Sequence, residues 1–362
     1  MKVLVLCAAY PIPDGPRPMY FAHSRNLYYQ KEGLDVTVLN FATERGYIYD
    51  GIRVISLNEF RTCVEKYDAL VLHAANIRNH YRFIKKYGTF FKKKMFIFHG
   101  HEVLRINKYY PEPYGYMKSN NSIPRLIQNI YDEFKLSVWH RYYSANIEDI
   151  RLVFVSNWIF DKFKKEVRIS DEELKGHACV IPNSIGEFFE KNLYMPQKIE
   201  YDFLTIRSNM DDSKYGVDIV NDLAINNPQY KFCIIGKGKY YEYNKKPNNI
   251  TWISGEMSHE DLMNYMNQSR YALLPTREDT HGLMACEMAS VGMKLITSDI
   301  EVCREVFSDC PSTVLIDNYE PDIKGAIEKL NSINNTKRWT RFFACNTIER
   351  EIDYIKGYIE ND

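Results

Sequence analysis

The chain has 362 residues, of which 45% are hydrophobic and 26% are charged. This length exceeds one ordinary α/β domain and favours two globular domains of roughly 150–200 residues each. The 47 basic and 47 acidic residues cancel, which argues against a general affinity for nucleic acid. No run approaches the roughly 18–20 apolar residues that a membrane span needs. The short apolar start, MKVLVLCAAYPIP, is interpreted as a buried strand and not as a signal peptide.

The cysteines are scattered and form no CxxC pair, so they predict reduced core thiols of a cytoplasmic protein and neither a disulfide framework nor a metal site. Phe90-Phe91 beside Lys92-Lys93-Lys94 could touch a membrane, although a solvated loop before a strand is favoured. Peripheral association with the inner membrane surface therefore stays open. The cysteines are Cys7, Cys63, Cys179, Cys233, Cys286, Cys303, Cys310 and Cys345.

Apolar runs alternate with helical stretches along the whole chain, a pattern that predicts an α/β fold with parallel sheets. The predicted strands of the first half are 3–7, 36–40, 54–57, 69–73, 95–98, 152–155 and 179–181, with helices at about 19–32, 59–66, 76–87, 123–146 and 157–167. Those of the second half are 202–206, 231–235, 250–253, 271–274, 294–297 and 313–316, with helices at about 216–226, 259–268, 282–291, 301–306 and 320–333.

A polar segment after Ile185, containing Pro196, predicts the boundary between two domains. We assign residues 1–190 to the first domain and 191–340 to the second. The tail from about Asn335 to Tyr358 has a helical, aromatic-rich pattern, and 341–362 is treated as a C-terminal helix.

The most informative stretch is LPTREDTHGLMACEMASVGMKLITSD. A short apolar strand ends at Pro275, a polar loop carries Asp279, and a helix that begins near Gly282 carries Glu287. A helix start offers unpaired N–H groups and a positive dipole, which together suit a phosphate or diphosphate. Acids that flank such a site can accept hydrogen bonds from sugar and ribose hydroxyls. The stretch therefore indicates a nucleotide-sugar pocket; the alternative is a buried βα unit with two solvated acids.

This stretch resembles the acid-x7-acid motif of retaining glycosyltransferases of the GT-B fold (group 1, family 4-like). The resemblance implies two Rossmann-like domains whose parallel sheets face each other across a cleft. The first would bind the acceptor, and the second would bind the nucleotide sugar. It also implies that the C-terminal helix, 341–362, crosses back to the first domain.

The second domain opens with DFLTIRSNMDDSKYGVD, in which Arg207 ends a strand and Lys214 precedes Gly216 and a helix. Two cations at such a position can neutralise a diphosphate, Arg through a bidentate fork and Lys as a point charge. The pair resembles the strand-end Arg and Lys-Gly of the same family, with a longer loop between them. The resemblance implies that Arg207 and Lys214 stabilise the leaving group.

The same resemblance implies further roles in the second domain. Asp279 would hold the donor sugar, Glu287 the ribose, and the N–H groups of Gly282 and Leu283 the phosphate. CIIGKGKYY supplies Gly236, and TWISGEMSHE supplies Gly255 and Glu256 for the nucleotide. Asp279 stands where many members carry Glu, and His281 where many carry Phe, so the donor sugar is left open.

In the first domain, FIFHGHEVLRIN places His99 at the end of a strand. Open α/β sheets bind ligands at that edge, and the family commonly has a histidine there facing the donor. A structural hydrogen-bonding role is the alternative. The first βα loop, AAYPIPDGPRP, resembles the family's acceptor loop and makes Gly15 and Arg17 candidate acceptor-binding residues.

The implied function is retaining transfer of a hexosyl group from a nucleotide sugar, preferably a UDP-sugar, to a glycan or lipid-linked acceptor. A role in bacterial surface polysaccharide or glycoconjugate synthesis follows from the same resemblance. No cofactor or metal is expected, because cations and a helix start replace it and Asp211-Asp212 lacks the setting of a DxD motif. Two alternatives remain: a GT-B nucleotide-sugar epimerase, and a non-catalytic partner that stabilises a transferase.

Overall fold

A computed structural model describes residues 1–62, 65–118, 125–333 and 338–360. The chain forms two compact units. The first comprises Met1–Ile106, Asn129–Gly186 and Phe342–Asp362, and the second Asn107–Gln128 and Glu187–Arg341. Asn107–Gln128 thus belongs to the second unit although it lies within the predicted first domain. Cys63 and parts of the predicted helices at 59–66 and 123–146 and of the tail lie outside the described residues.

The strands alternate with helices as the sequence predicts. They are β1 (Lys2–Cys7), β2 (Asp35–Asn40), β3 (Tyr47–Tyr49), β4 (Ile52–Ile55), β5 (Ala69–His73), β6 (Lys93–Phe98), β7 (Ile150–Phe154), β8 (Ala178–Val180), β9 (Tyr201–Asn209), β10 (Phe232–Lys237), β11 (Ile250–Ile253), β12 (Ser269–Leu274), β13 (Lys294–Ser298) and β14 (Thr313–Ile316).

The helices lie between these strands. They are α1 (Tyr20–Lys31), α2 (Leu57–Thr62), α3 (Arg82–Tyr87), α4 (Ile106–Tyr109), α5 (Arg125–Asn146), α6 (Asn157–Phe163), α7 (Asp171–Leu174), α8 (Glu187–Lys191), α9 (Val217–Asn226), α10 (Tyr240–Tyr243), α11 (His259–Asn267), α12 (Leu283–Ser290), α13 (Glu301–Val306), α14 (Ile323–Ser332) and α15 (Ile348–Glu360).

The first unit is built on a sheet with the order β3-β4-β2-β1-β5-β6-β7-β8. All neighbours pair in parallel except β3 and β4. The central strands are buried on both faces, which explains why they read as continuous apolar runs in the sequence.

The second unit has an all-parallel sheet with the order β11-β10-β9-β12-β13-β14. The chain adds β10 and β11 on one side of β9 and then returns to add β12, β13 and β14 on the other. In open α/β sheets such a reversal leaves a crevice at the carboxyl ends of the two central strands, and ligands bind there. These strands are β9 and β12.

The α/β class is confirmed, and each predicted strand overlaps an observed one. The hairpin strand β3 was missed, because three residues, YIY, give too short a pattern. Strand β9 continues two residues past Arg207 to Asn209. The predicted helical tail is wrong before Ala344, since residues 338–343 form no helix. Phe91 is buried and Lys93 opens β6, so the predicted solvated loop covers only part of that run.

The last helix, α15, completes the core of the first unit. Ile348, Ile352 and Ile355 recur at helical spacing and are buried together with Val5 and Val36 of the sheet. The C-terminal segment is therefore a structural part of this unit, as a helix with one apolar face requires.

A buried ion pair also connects α15 to α1. The Arg25 Nε donates to Glu351 Oε2 at 2.9 Å, and Arg25 Nη1 donates to Asn183 Oδ1 at 2.6 Å. Both charged side chains are at most 1% exposed. Burial raises the pKa of Glu351, and Arg25 only partly opposes this. The pair stabilises the unit only while both charges are present, because each is costly alone.

We expect Arg25→Ala to lower the free energy of unfolding by about 3–5 kcal/mol, because it leaves the Glu351 carboxylate buried and unpaired. Chemical denaturation of the whole chain would measure the loss. Arg53→Ala is the matched control: it breaks the 2.6 Å pair of Arg53 with Glu65, in which Arg53 is 50% exposed. That exposed pair should contribute about 1 kcal/mol or less. Equal losses in the two variants would contradict the role given to the buried pair.

Candidate functional site

Arg207 lies near the carboxyl end of β9 and is buried. Its Nη2 donates to the Pro275 carbonyl at 2.7 Å, and its guanidinium lies 5.2 Å from the Tyr215 ring centroid. Among the described residues, Nε has no hydrogen-bond acceptor. Burial lowers the pKa of Arg207, and the nearby Asp279 opposes this shift. A buried guanidinium with an unused N–H group is suited to an anionic ligand.

Lys214 lies in a short 3₁₀ turn, Ser213–Tyr215, that Asp212 caps by accepting from the Lys214 N–H. Its ammonium lies 3.5 Å from Asp212 and over the rings of Tyr110 and Tyr215, at 5.3 and 4.8 Å. Burial alone would lower its pKa, but Tyr215 and the nearby acids outweigh that and raise it. Lys214 is therefore a charged group at neutral pH.

The loop carrying Lys214 lies against the loop carrying Asp279. Gly216 has φ +59°, and a Cβ atom there would come within 2.8 Å of the Pro275 carbonyl oxygen. Only glycine combines this left-handed backbone with such a close approach. The Gly after Lys214, singled out in the sequence, is thus required by the contact between the two loops.

Asp279 forms the turn before helix α12. Its Oδ1 accepts from the N–H groups of Thr280, His281 and Gly282 at 2.7, 3.2 and 2.9 Å. Gly282, at φ +72°, then starts the helix at Leu283. No described residue donates to Oδ2 of Asp279. One carboxylate oxygen is therefore structural, and the other is available to a ligand.

A pocket with about 270 Å³ of empty space, part of which is open to solvent, lies at this edge of the second sheet. Its polar walls come from Arg207, Asp279, His281 and Gly282, which the sequence analysis selected. The apolar walls come from the end of β12, from α12, and from α13 with the residue that follows it, and no sequence pattern pointed to these side chains. The lining residues in addition to the polar four are Leu274, Thr276, Ala285, Thr297, Val302, Cys303 and Phe307.

Glu287 lies in the middle of α12 and is only 7% exposed. No described residue makes a hydrogen bond or an ion pair with its carboxylate. Burial raises the pKa of Glu287 well above its usual range, with no charge partner to oppose it. Buried carboxylates are normally paired, so this group is suited to a ligand that supplies hydroxyl donors.

The glycines selected beyond β10 and β11 have structural reasons of their own. A Cβ atom at Gly236 would lie 2.2 Å from the Arg207 carbonyl oxygen, so glycine lets β10 approach β9 beside Arg207. Gly255 has φ +141° and no neighbour in the way. Glu256 makes an exposed 2.8 Å ion pair with Lys237, next to Gly236. Neither Gly255 nor Glu256 lines the pocket.

His99 follows β6 in the first unit, and its ring is fixed by neighbours. Its Nε2 lies 3.2 Å from Nδ1 of the buried His73, and its ring centroid is 4.3 Å from that of Phe21. Burial, and then the charge of Arg25, lower the pKa of His73. His73 is thus a neutral support for His99. It ends β5 as His99 follows β6, so the same strand-end signal could have found it.

Gly15 and Arg17 also belong to the first unit. A Cβ atom at Gly15 would lie 2.6 Å from the Ile12 side chain, so glycine allows this loop to fold tightly. Arg17 is exposed. The structure therefore brings together Arg207, Lys214 and Asp279 with the start of α12 in the second unit, while His99, Gly15 and Arg17 lie in the first.

Sequence reasoning missed an ion pair beside Lys214. Arg277 donates through both terminal nitrogens to Asp218, at 2.8 and 2.6 Å, and the Tyr114 hydroxyl donates to Asp218 at 2.8 Å. Arg277 follows a predicted strand by three residues, which was a usable signal, whereas Asp218 lies in the first turn of a predicted helix. Nothing in the sequence links Tyr114 to them.

Within the described part of the chain, no cluster of three or more His, Cys, Asp or Glu residues has the geometry of a metal site. No described helix has both the length and the apolar character needed to cross a membrane.

Residues 211–341, within the second unit, match the family model of the glycosyl transferases group 1. In this segment the chain is similar to the group 1 glycosyltransferases. It is 26% identical over 245 residues to an uncharacterized glycosyltransferase of Methanocaldococcus jannaschii, a match that covers 64% of this chain. The match spans 65% of that relative's length.

Solved structures show that the chain has the GT-B fold. Sucrose-phosphate synthase from Thermosynechococcus elongatus superposes with a TM-score of 0.65 at 11% identity, over 99% of this chain and 96% of the other. An E. coli structure reported as trehalose-6-phosphate bound with UDP-2-fluoro glucose gives 0.57 at 11% identity, over 100% and 96%. The predicted fold and the resemblance to glycosyltransferases are confirmed.

We expect Glu287→Gln to make the protein more stable without ligand. A carboxyl whose pKa is raised by folding costs nothing below its unfolded pKa, near 4.5, and destabilises the fold increasingly as the pH rises above it. The variant should therefore melt about 2–4 °C higher at neutral pH, with a smaller gain near pH 4.5. Thermal denaturation at both pH values measures this. Glu328→Gln, at an exposed position of α14, should change neither; a neutral-pH gain in both variants would contradict the assignment.

Proposed function

We propose that the protein transfers a sugar, with retention of configuration, from a nucleotide sugar to a hydroxyl of a glycan or lipid-linked acceptor. The observation that carries this proposal is the position of Arg207 and Asp279 in the wall of one pocket at the start of α12. Lys214 lies close by, since its ammonium and the Arg207 guanidinium both lie over the Tyr215 ring. Two cations and a helix start suit a diphosphate. The adjacent acids suit hydroxyl groups.

The mechanism we infer uses electrostatic stabilisation of the leaving diphosphate as its main catalytic effect. Arg207 offers its unused Nε–H and Lys214 its ammonium, and both lie where negative charge develops as the C1–O bond breaks. The departing phosphate helps to take the proton of the acceptor hydroxyl, which attacks from the same face. No carboxylate is given the role of nucleophile, since Asp279 is committed to its turn through Oδ1.

We propose a UDP-sugar as donor. The family resemblance supports this choice, and so does the E. coli structure, which is reported with UDP-2-fluoro glucose. Glu287 would accept the ribose hydroxyls, and Asp279 Oδ2 a hydroxyl of the sugar. A place in surface polysaccharide or glycoconjugate synthesis, a cytoplasmic location and contact with the membrane surface remain predictions from the sequence.

A panel of nucleotide sugars tests the function. UDP-glucose, UDP-galactose, UDP-N-acetylglucosamine and GDP-mannose would each be assayed for thermal stabilisation and for release of free nucleotide, with and without excess EDTA. A bound donor stabilises the folded state by mass action. We expect at least one donor to stabilise and turn over, with activity retained in EDTA. Proton NMR of the product reads the anomeric configuration. Epimerisation of the sugar without transfer would instead favour a nucleotide-sugar epimerase.

We expect Lys214→Ala and Arg207→Ala each to lower kcat by about 100-fold or more, as loss of one charge-stabilising group does in other enzymes. Circular dichroism and thermal denaturation should show a folded protein for Lys214→Ala, since that side chain lies on a loop. Lys239→Ala, which removes an exposed lysine outside the pocket, serves as the control. Near-normal turnover in both test variants would exclude the leaving-group assignment.

Substitutions of Glu287 and Asp279 should have different effects on ligand binding. Glu287→Gln should weaken bare UDP about tenfold or more, because charge-assisted hydrogen bonds contribute roughly 1.5–3 kcal/mol each. Asp279→Asn keeps an oxygen for the turn and should leave bare UDP nearly unchanged, while it weakens the nucleotide sugar. Isothermal titration calorimetry with UDP and with the donor measures both. Equal losses of UDP affinity would show that the roles are wrongly divided.

A further inference from the structure

The loops that follow β9 and β12 are joined by hydrogen bonds centred on Arg277. We propose that Arg277 is a positioning residue that holds Lys214 in the place from which it contacts the diphosphate. This inference rests on the proposed role of Lys214. It concerns a residue that lies two positions before Asp279 and does not line the pocket itself.

The backbone at Lys214 is fixed from the opposite loop. The Lys214 carbonyl accepts from the Arg277 N–H at 2.7 Å and from the Thr276 hydroxyl at 2.9 Å. A surface loop would normally give such a carbonyl to water. Here both donors come from the segment that leads to Asp279, so the position of one loop determines the position of the other.

The Arg277 side chain extends this contact to both sides of Lys214. Its Nη1 donates to the Ser213 carbonyl at 2.9 Å and to Asp218 Oδ1 at 2.8 Å, and Nη2 donates to Asp218 Oδ2 at 2.6 Å. Asp218 lies in the first turn of α9. The Ser213–Tyr215 turn is thus held at its start by one arm of the guanidinium, while the other arm holds the helix that follows.

The ion pair between Arg277 and Asp218 is partly buried. The side chains of Arg277 and Asp218 are 29% and 31% exposed, and the Tyr114 hydroxyl covers Asp218 with a 2.8 Å hydrogen bond. The hydrogen bonds that Arg277 donates to Asp218 are the largest influence on the pKa of Arg277 and raise it. In the same segment as Tyr114, the Glu112 carbonyl accepts from the Ser213 hydroxyl at 2.7 Å.

A lysine at position 277 cannot make the same set of hydrogen bonds. Arginine presents several donors in a rigid plane, and it can bond a carboxylate with both arms while also reaching a carbonyl. Lysine carries the same charge at a single point. Arg277→Lys therefore separates the two roles that Arg277 could have: it keeps the positive charge near the pocket and removes the fork that fixes the turn around Lys214.

Inorganic pyrophosphate is the probe, since it presents the diphosphate whichever nucleotide the donor carries. Binding would be measured by calorimetry for the wild type, Arg277→Lys, Lys214→Ala and the double variant. Arg270→Lys is the matched control. Its Nε lies 3.4 Å from Asp202, and this pair joins the same strands, β12 and β9, at their opposite ends. Asp218→Asn disrupts the same two-armed ion pair through its acidic partner. It would be used in place of Arg277→Lys if Arg277→Lys does not fold.

We expect Lys214→Ala to weaken pyrophosphate about tenfold or more and Arg277→Lys to weaken it about fivefold, within the range of coupling between contacting residues. In the Lys214→Ala background, Arg277→Lys should change affinity by less than about twofold, because the group that it positions is gone. Arg270→Lys should bind like the wild type. Hydrogen exchange of the peptide containing residues 213–216 should increase in Arg277→Lys alone.

Wild-type affinity in Arg277→Lys would overturn the inference, and so would an equal loss with and without Lys214, which would indicate general damage to the loops. Wild-type affinity in Lys214→Ala is a different result: it would remove the phosphate role of Lys214 and with it the proposed leaving-group mechanism.

Discussion

The hydrogen bond from Arg207 Nη2 to the Pro275 carbonyl joins the carboxyl ends of β9 and β12, the two strands between which the strand order of the second sheet reverses. A crevice opens at this point in any open parallel sheet. In this chain the bond, together with the close approach of Gly216, determines how far the two following loops can separate. The pocket lies at this contact, and the turn at Lys214 and the start of α12 follow the two strands that it joins.

The candidate site lowers the stability of the folded protein. The Arg207 guanidinium is buried with an unused N–H group, and Glu287 is a buried carboxylate without a partner among the described residues. Each would be more stable in water or with an opposite charge beside it. The first unit also contains buried charges, but there Arg25 and Glu351 form an ion pair inside the core. A ligand bound at the candidate site would supply the missing partner of both groups.

The sequence predicted those parts of the site that depend on local order along the chain. Arg207 near the end of a strand, Lys214 before a glycine and Asp279 before a helix start could all be found, because parallel strands bring their carboxyl ends to one edge. The pairing of Arg277 with Asp218 could not be predicted, since it depends on which loops face each other across 59 positions of chain. The inclusion of Asn107–Gln128 in the second unit has no local signal either, because Tyr114 reaches Asp218 only through tertiary packing.

The structural role of Asp279 bears on the departure from the family pattern. A carboxylate that caps its own turn must be short, because Oδ1 has to reach the N–H groups of Thr280, His281 and Gly282 together. A glutamate has one more methylene group, which lets it extend into the pocket but prevents this compact capping. Aspartate therefore gives up reach and gains a fixed orientation, which leaves only Oδ2 for a ligand. A donor bound here would have to bring its hydroxyl close to the helix start, beside the buried ring of His281.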